Sequence, residues 1–424
     1  MRVLIVNTSE TTGGAAVAAN RLKEALNNNG IKAKMLVRDK LTDDITVAEL
    51  DKSWRQRWNF LWERFIVYCK LHFKRDNLFQ IDIANAGTDI TKTREFKEAD
   101  VIHLSWINQG MLSIKGIHKI LDSHKPVVWT MHDLWPASSI CHYARGCEGY
   151  MKQCGNCPLL PGGGSKNDLS AKIWRKKKHI LNSHSVLFVT CSKWLAEKAK
   201  SSGLLVGQKI VSIPNPIDTH TFCKTNQEQA RLHAALPADK RIILFVSQRV
   251  TNERKGMAYL IEAVNKMVEQ HPEMKQDTAI ALLGGKADEI EDRLSLPIYP
   301  LGYVSDEKKI VSIYNSADVF VLPSLEDNLP NTIMEAMACG VPCVAFNTGG
   351  IPEMIDHMRN GYVAEYKNAD DLSRGIFWTL AEANRNSLSQ EAMKKVGLCY
   401  SQHAVAMKYI EAYNQAMAIK RYRL

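Results

Sequence analysis

Short β-branched segments alternate with helical patterns along most of the chain, and this alternation restricts the fold more than any other feature. A first series contains RVLIVN, DVIHLSW, PVVWTMHD and SVLFVTCS, and a second contains RIILFVSQ, TAIALLGG, DVFVLPSL and PCVAFNTGG. Strand, loop and helix in repetition predict an α/β protein whose parallel sheets are covered by helices on both faces. Because there are two series, and because 424 residues suffice for two cores, we expect two doubly wound domains.

The boundary between the domains is predicted by a segment with two prolines, GQKIVSIPNPIDTH, which separates the two series. We therefore expect an N-terminal domain over residues 1–212 and a C-terminal domain over residues 213–395. The remaining segment, 396–424, has the pattern of one amphipathic helix, for which Ser401 can act as the N-cap. Its apolar stripe consists of Val405, Tyr409, Ile410, Tyr413 and Met417.

The formal net charge of +10 predicts an anionic partner, such as a phosphate-containing ligand or an acidic lipid. No recognised nucleic-acid motif is present, so we expect no nucleic-acid partner. No apolar run approaches the roughly 20 residues of a membrane span, and the N-terminus lacks the features of a secretory signal. The sequence therefore predicts a cytoplasmic protein.

Four loops follow predicted strands, at the edge where doubly wound sheets bind ligands. The first, TSETTGGAA, places Gly14 at a helix start whose NH groups attract anions, although glycines also merely close such turns. The second, TMHDLWP, places His132 next to Asp133 at a strand end. This pair is equally compatible with a structural hydrogen bond.

The other two loops carry charged side chains. SQRVTNERKG contains Arg249, Arg254 and Lys255, which can neutralise a diphosphate and stabilise it as a leaving group. A solvated basic turn is the alternative. DNLPNTIMEAMACGVP contains Asp327 and Glu335, whose carboxylates can accept hydrogen bonds from sugar or ribose hydroxyls.

The stretch LPSLEDNLPNTIMEAMACGVPCVAF, with RKG upstream, IPNPID at the linker and GG in the first loop, resembles the retaining glycosyltransferases of family four. The resemblance covers essentially the whole chain and implies a GT-B fold, in which two Rossmann-like domains face a cleft and the C-terminal helix crosses back to the first domain. The segment VVWTMHDLWPASSICHYARGCEGYMKQCGNCPLL is similar to a branch found in bacterial capsule, colanic-acid and O-antigen gene clusters.

The resemblance also implies roles for individual residues. Glu335 corresponds to a glutamate that binds the nucleotide ribose, and Asp327 stands where family members have a glutamate that contacts the donor sugar. Arg249 and Lys255 match the residues that hold the diphosphate, with Arg254 as a rival because this loop is one residue longer. His132 matches a histidine that reaches toward the donor sugar. The expected catalytic residues are thus His132, Arg249, Lys255 and Asp327, and further donor contacts are expected from Gly14, Tyr303, Val304, Asn328, Leu329, Asn331 and Glu335.

The implied activity is that of a metal-independent hexosyltransferase that uses a nucleotide-diphosphate sugar, with no catalytic cofactor. In a front-face mechanism the acceptor hydroxyl attacks from the side on which the diphosphate leaves, so the anomeric configuration is retained. The expected acceptor is a growing surface polysaccharide, either a glycan or an oligosaccharide linked to polyprenyl diphosphate. An inactive nucleotide-sugar-binding homologue and a GT-B epimerase are the alternatives.

Candidate contacts to the acceptor lie in HLSWINQG, at a strand end of the first domain, where an aromatic ring could stack on a sugar. They are His103, Trp106 and Asn108. A tryptophan buried in the core is the alternative.

The loop 141–157 contains four of the ten cysteines, which are Cys141, Cys147, Cys154 and Cys157. Soft ligands at this density in a reducing compartment predict a structural zinc, with His142 as an alternative ligand. A disulfide pair or plain thiols are the other interpretations.

The segment 53–75, SWRQRWNFLWERFIVYCKLHFKR, combines aromatic and basic side chains at helical spacing. Such a helix can lie on an anionic membrane surface, which would place the protein on the inner face of the plasma membrane. An ordinary covering helix of the sheet is the alternative.

Overall fold

The computed structural model describes residues 1–51 and 54–421, which form two compact units. Unit 1 comprises residues 1–216 and the chain from Val405 onward, and unit 2 comprises residues 217–404. Ser53 of the predicted membrane segment and residues 422–424 of the predicted C-terminal helix lie outside the described residues. None of the helices described has the length and hydropathy that crossing a bilayer requires.

Unit 1 contains a parallel seven-stranded sheet with the order β3-β2-β1-β4-β5-β6-β7. The strands are β1 (Arg2–Ser9), β2 (Lys32–Asp39), β3 (Val47–Glu49), β4 (Val101–Leu104), β5 (Val127–Met131), β6 (Leu187–Thr190) and β7 (Lys209–Ser212). The helices are α1 (Gly14–Asn28), α2 (Trp54–Lys70), α3 (Arg94–Glu98), α4 (Ile114–Asp122), α5 (Gly149–Lys152), α6 (Leu169–Ser183) and α7 (Lys193–Lys200). Two apolar clusters, which include alternate side chains of the strands, form the core.

Unit 2 contains a parallel six-stranded sheet with the order β10-β9-β8-β11-β12-β13. Its strands are β8 (Arg241–Arg249), β9 (Thr278–Gly285), β10 (Ile298–Gly302), β11 (Val319–Leu322), β12 (Cys343–Phe346) and β13 (Gly361–Ala364). Its helices are α8 (Gln227–Ala234), α9 (Met257–Gln270), α10 (Met274–Asp277), α11 (Glu307–Ser316), α12 (Asn331–Ala338), α13 (Ile351–Met354), α14 (Ala369–Phe377) and α15 (Arg385–Cys399). Two doubly wound parallel sheets confirm the predicted α/β fold class.

The C-terminal segment corrects one prediction, because 396–424 is not a single helix. Helix α15 continues to Cys399, and a separate helix α16 (Gln402–Arg421) follows. The break occurs where Ile217 pairs with the backbone: its NH donates to the Tyr400 carbonyl (2.8 Å), and the NH of Gln402 donates to the Ile217 carbonyl (3.1 Å). This pairing with a segment distant in sequence takes backbone groups that a continuous helix would use.

Helix α16 belongs to unit 1 from Val405 onward, so the chain crosses back to the first domain as predicted. Its buried face packs into the core beside β1, β2, β5 and β6 and consists of Val405, Ala406, Tyr409, Ala412, Tyr413 and Ala416.

Candidate active site

The strand order of unit 2 reverses between β8 and β11, and at such a switch point the loops after the two strands leave a space for ligands. The loop after β8 ends at Gly256, which has φ +75°. A Cβ at this position would lie 1.8 Å from the carbonyl oxygen of Pro323, the residue that follows β11. Only glycine therefore allows the two loops to meet, which explains why the RKG sequence places its cations here.

Lys255 and Arg254 both face Asp327 in this pair of loops. Lys255 Nζ donates to Asp327 Oδ2 at 2.5 Å, and Arg254 Nη1 lies 3.5 Å from the same oxygen. Arg254 also donates to the Glu326 carbonyl at 2.7 Å, and Ser324 Oγ to Asp327 Oδ2 at 3.2 Å. The structure thus brings Lys255 and Asp327 together, and Arg254 shares the position.

The charge state of this group follows from its surroundings. Burial alone would raise the pKa of Asp327, but the Lys255 and Arg254 cations hold it below its ordinary value. Burial lowers the pKa of the Lys255 ammonium, and Asp327 opposes that effect. Asp327 is therefore an ionised carboxylate near neutral pH.

Two glycines after β12 support Asp327 from the other side, and sequence reasoning did not single them out. The NH of Gly350 donates to the Asp327 carbonyl at 3.2 Å. Gly349 has φ +60°, and a Cβ there would lie 1.6 Å from that carbonyl oxygen. The signal was present as a glycine pair that directly follows a predicted strand, NTGG.

Helix α12 begins directly after the loop that contains Asp327, and it carries Glu335 on its buried side. Tyr314 OH donates to Glu335 Oε2 at 2.7 Å, a partner that the sequence did not reveal. The N-cap position of the helix is Pro330, which supplies no side-chain cap. Thr332 Oγ1 is buried without a hydrogen-bond partner among the described residues. The helix start thus keeps polar capacity that an anionic ligand could use.

The remaining donor-side residues of unit 2 differ in their exposure. Asn328 and Leu329 are buried in the loop before α12, and Asn331 is its first residue. Arg249 is exposed at the end of β8, and Tyr303, which follows β10, is 73% exposed with Val304 beside it. The structure places them at the same end of the sheet as the Lys255–Asp327 pair.

Unit 1 has its own switch point, between β1 and β4. After β1, Gly13 adopts φ +92° and precedes α1, which starts at Gly14. After β4, the chain is fixed to the end of β1, because Thr8 NH and Oγ1 both donate to the Trp106 carbonyl, at 2.8 and 3.0 Å. Gly14 and Trp106 therefore belong to the two loops that flank this switch point.

His132 directly follows β5. Its Nε2 shares a hydrogen bond with Ser105 Oγ (2.9 Å), and its Nδ1 lies 3.6 Å from Cys191 Sγ. Burial lowers the pKa of His132 to about 4, so the ring is neutral at physiological pH. A neutral imidazole here can exchange hydrogen bonds with hydroxyl groups and adds no positive charge.

Trp106 is held by a buried chain of charges. Its indole NH donates to Asp133 Oδ2 at 3.0 Å, and its ring stacks on His142 with 5.8 Å between centroids. His142 donates from Nδ1 to Asp133 and from Nε2 to Asp82, both at 2.7 Å. Arg64 of α2 pairs with the other oxygen of Asp82.

His142 carries a positive charge in this chain. Burial disfavours the imidazolium, but the Asp133 and Asp82 carboxylates overcome this penalty and raise the pKa of His142 to about 10. Trp106, which is partly exposed, therefore rests on a cationic ring and is fixed at its NH group.

Comparison with known proteins identifies the family. Residues 12–221 match the sequence family described as Glycosyltransferase Family 4, and residues 240–382 match Glycosyl transferases group 1. An uncharacterized glycosyltransferase of Methanocaldococcus jannaschii is 30% identical over 368 residues, which cover 80% of this chain and 91% of that relative. The chain belongs to the glycosyltransferases.

Two further relatives of this glycosyltransferase carry more specific names. A colanic acid biosynthesis glycosyl transferase of Escherichia coli K12 is 25% identical, over 68% of this chain and 70% of the relative. An N,N'-diacetylbacillosaminyl-diphospho-undecaprenol α-1,3-N-acetylgalactosaminyltransferase of Campylobacter jejuni is 30% identical, over 37% of this chain and 42% of the relative.

Solved structures resemble the glycosyltransferase over nearly its full length. Sucrose-phosphate synthase from Thermosynechococcus elongatus has a TM-score of 0.65 at 18% identity, and the match covers 99% of both chains. HepE of Anabaena, solved with UDP-glucose, has a TM-score of 0.60 at 15% identity, with 98% of this chain and 100% of HepE covered. At these identities the likeness shows the fold alone, which is GT-B.

Two expectations about histidines of the glycosyltransferase are wrong. His103 has no exposed surface, because Tyr413 OH and Thr130 Oγ1 occupy its two ring nitrogens, each at 2.7 Å, so it cannot contact an acceptor. His142 cannot be a metal ligand, because both of its nitrogens donate to carboxylates. Asn108, another of the acceptor candidates, is buried. Its Nδ2 has no hydrogen-bond partner within the described part of the chain.

The four cysteines of the loop 141–157 all line one small cavity of about 20 Å³. Burial raises the pKa of Cys154 to about 12 and that of Cys157 to about 11, which favours protonated thiols. Among the described residues, no three of these sulfur atoms lie within 4.8 Å of one another, as a tetrahedral centre would require. This arrangement does not fit a formed zinc centre, and zinc stays a prediction.

Proposed function

We propose that this glycosyltransferase moves a hexose from a nucleotide-diphosphate sugar onto a growing lipid-linked glycan, with retention of the anomeric configuration. The observation that carries the proposal is the group at the switch point of unit 2. There Lys255, Arg254 and Asp327 meet beside the start of α12, and Glu335 follows on the same helix. Cations and a helix start suit a diphosphate, and carboxylates suit hydroxyl groups.

Each residue of this group has a proposed task in donor binding. Lys255 and Arg254 neutralise the diphosphate, and Arg249 closes on it from the exposed end of β8. Asp327 accepts hydrogen bonds from the hexose, and Glu335, oriented by Tyr314, accepts them from the ribose. When the donor binds, the Lys255 ammonium would contact both Asp327 and a phosphate oxygen. Two anionic partners keep it charged.

In the proposed reaction the acceptor hydroxyl oxygen bonds to the anomeric carbon as the bond from that carbon to the diphosphate oxygen breaks. The leaving oxygen takes the acceptor proton, so no side-chain nucleophile is needed. Negative charge that develops on the diphosphate is stabilised by Lys255, which Asp327 holds in place. The charge is balanced by side chains, so we expect transfer to continue in EDTA.

The acceptor contacts are proposed for unit 1. Trp106 is partly exposed and rigid, since Asp133 fixes its NH and His142 supports its ring. A fixed indole offers a stacking surface for a sugar at little entropic cost. His132 remains a predicted contact of the donor sugar. The names of relatives from colanic acid and undecaprenol-linked glycan synthesis support a lipid-linked acceptor class.

The orientation of α2 supports a membrane-surface role. The helix buries Gln56, Glu63, Arg64 and Val67, and its aromatic side faces solvent. The exposed apolar residues of α2 are Trp54, Trp58, Leu61, Trp62 and Phe65, whose exposed fractions range from 42% to 73%. Basic residues that are also exposed in this segment are Arg55, Arg57, Lys70, Lys74 and Arg75. A covering helix would bury its apolar side, so an interfacial helix on anionic lipid fits better.

The central test measures release of free nucleotide diphosphate from a panel of nucleotide sugars, with and without lipid-linked glycan extract. We expect one donor to raise the melting temperature and to be consumed faster when acceptor is present. The anomeric proton coupling of the product, measured by NMR, should match that of the donor. No acceptor-dependent release with any donor would favour a binding protein, and a changed sugar without transfer would favour an epimerase.

The membrane proposal has a separate test in vesicle sedimentation. Wild type should bind vesicles that contain phosphatidylglycerol and not neutral ones, and Trp54→Ala/Trp58→Ala should bind more weakly. A matched control replaces Leu232, which is 79% exposed on α8 of unit 2, by Ala. Equal partitioning of the double variant and wild type would remove the membrane role of α2.

A further inference from the structure

A cluster of two histidines and one carboxylate lies outside the site described above. Among the described residues, His118, Asp122 and His184 form a group whose potential ligand atoms all lie within 4.8 Å of one another. His118 and Asp122 lie four residues apart on α4 and therefore share a helix face. His184 follows the last residue of α6 in an extended conformation. The cluster thus joins the ends of two helices that contact each other.

The hydrogen bonds of His184 define which nitrogen faces the carboxylate. Its Nδ1 lies 2.9 Å from the Ile180 carbonyl oxygen, which can only accept, so Nδ1 carries a proton. Its Nε2 lies 3.0 Å from Asp122 Oδ1. In a neutral ring Nε2 is an acceptor too, so two acceptors face each other unless a proton or a metal ion lies between them. Backbone carbonyls orient metal-binding histidines in this way.

His118 presents a second nitrogen to the same oxygen, with Nε2 at 3.5 Å from Asp122 Oδ1. The two imidazole rings, whose centroids lie 5.5 Å apart, thus both direct a nitrogen at this carboxylate oxygen. One divalent cation can serve all three groups. Ligand atoms that each lie about 2.1 Å from a metal are separated by about 3.0–3.4 Å at tetrahedral to octahedral angles, close to both observed distances.

We propose that His118, Asp122 and His184 bind a divalent transition-metal ion that fastens α4 to α6. Two imidazoles and a carboxylate suit Zn²⁺, Co²⁺ or Ni²⁺ and do not suit Mg²⁺ or Ca²⁺, which prefer oxygen ligands. With 41% and 53% of the His118 and Asp122 side chains exposed, water completes the coordination. The role is structural, because α4 and α6 precede β5 and β6, and the site lies at the amino ends of strands whose carboxyl ends carry His132 and Cys191.

The test is a zinc titration of untagged, metal-stripped full-length protein by calorimetry, with bound zinc counted by elemental analysis. His184→Ala and Asp122→Asn should each bind one zinc fewer per chain than wild type, or bind it at least tenfold more weakly. Zinc should raise the melting temperature of wild type and raise it less in both variants. The control His233→Ala removes an exposed histidine of unit 2 and should titrate like wild type.

The cysteines of loop 141–157 could also take up zinc, so Cys154→Ser is titrated in parallel. Cobalt separates the two sites, since thiolate ligands produce a strong near-ultraviolet charge-transfer band that histidine and carboxylate ligands do not. Under the proposal, His184→Ala loses a visible cobalt band that Cys154→Ser keeps. The proposal is overturned if both cluster variants match wild type in zinc count and affinity, or if only Cys154→Ser loses zinc. None of these readouts depends on sugar transfer.

Discussion

The two switch points hold their charged side chains in different ways. At the switch point of unit 2, Lys255 and Asp327 pair with 16% and 12% of their side chains exposed, in loops that a ligand can reach. Behind the switch point of unit 1, His142 lies between Asp82 and Asp133, and the Asp82 side chain has no exposure. A pair that keeps some exposure can exchange partners with substrate, whereas an enclosed triad can only support the side chain that rests on it. The first region is therefore expected to control turnover, and the second to control stability and the position of Trp106.

The largest effect is expected from removal of the enclosed cation. His142→Gln leaves Asp82 and Asp133 without their shared imidazolium, and breaking such a buried pair costs about 3–5 kcal/mol in free energy of unfolding. Urea denaturation of the variant and of wild type at neutral pH measures this difference. The exposed His179→Gln should stay within about 0.5 kcal/mol of wild type. A His142→Gln protein as stable as wild type would show that the triad carries no structural role.

The next effect concerns turnover. Lys255→Ala removes the cation closest to the proposed leaving group, and loss of one preorganised charge-stabilising group lowers kcat by about 10²–10³-fold. Lys275→Ala, an exposed lysine on α10, is the matched control and should keep wild-type activity. Equal kcat for Lys255→Ala and wild type would contradict the proposed diphosphate contact. If Lys255→Ala lowered the free energy of unfolding as much as His142→Gln does, the two regions would not differ in their contribution to stability.

A smaller effect is expected in the pH dependence of stability. The pKa of His132 is about 4 in the folded chain and about 6.5 when unfolded, so its contribution is fully present above pH 6.5 and is lost as pH falls toward 4. Between pH 5 and 6 the unfolding free energy of wild type should fall with decreasing pH by about 1.4 kcal/mol per unit more steeply than that of His132→Gln. Urea denaturation at pH 5.0, 5.5 and 6.0 gives both slopes. Parallel slopes would mean that the imidazole is protonated in the folded state.

The smallest effect should appear in acceptor binding. Trp106→Ala removes the proposed stacking surface, and loss of one aromatic contact of about 1 kcal/mol raises the acceptor KM several-fold. The KM for the donor should not change, because Trp106 is not one of the proposed donor contacts. Trp106→Phe keeps a ring and should recover part of the affinity. An unchanged acceptor KM in Trp106→Ala would separate the enclosed triad from substrate recognition.

The two regions also differ in how far their contacts could be predicted from the sequence. Lys255, Asp327 and Glu335 follow strands within short local motifs, so their common location could be inferred from strand order alone. His103 and His142 each have a partner far away in the chain: Tyr413 is 310 residues from His103, and Asp82 is 60 residues from His142. Spacing along the sequence contains no signal for such pairs.

Helix α2 illustrates a second limit of sequence analysis. Its aromatic and basic pattern was visible, but the pattern alone could not tell which side faces the sheet. The orientation of the helix is set by Arg64, which pairs with the buried Asp82. The side of the helix that carries Arg64 therefore faces inward, and Trp58 and Trp62 are exposed. The break before α16 has the same origin, because Ile217 lies far from Tyr400 in sequence.

The path of the chain has a consequence for biosynthesis. Unit 2 is continuous, whereas unit 1 needs residues 1–216 and also α16, whose Tyr409 and Tyr413 close its core. On the ribosome, unit 2 is complete before α16 has been translated, so the domain that begins first is finished last. Until then the nascent protein exposes the apolar side of its first sheet that α16 will cover, and this interval is when it most needs a chaperone.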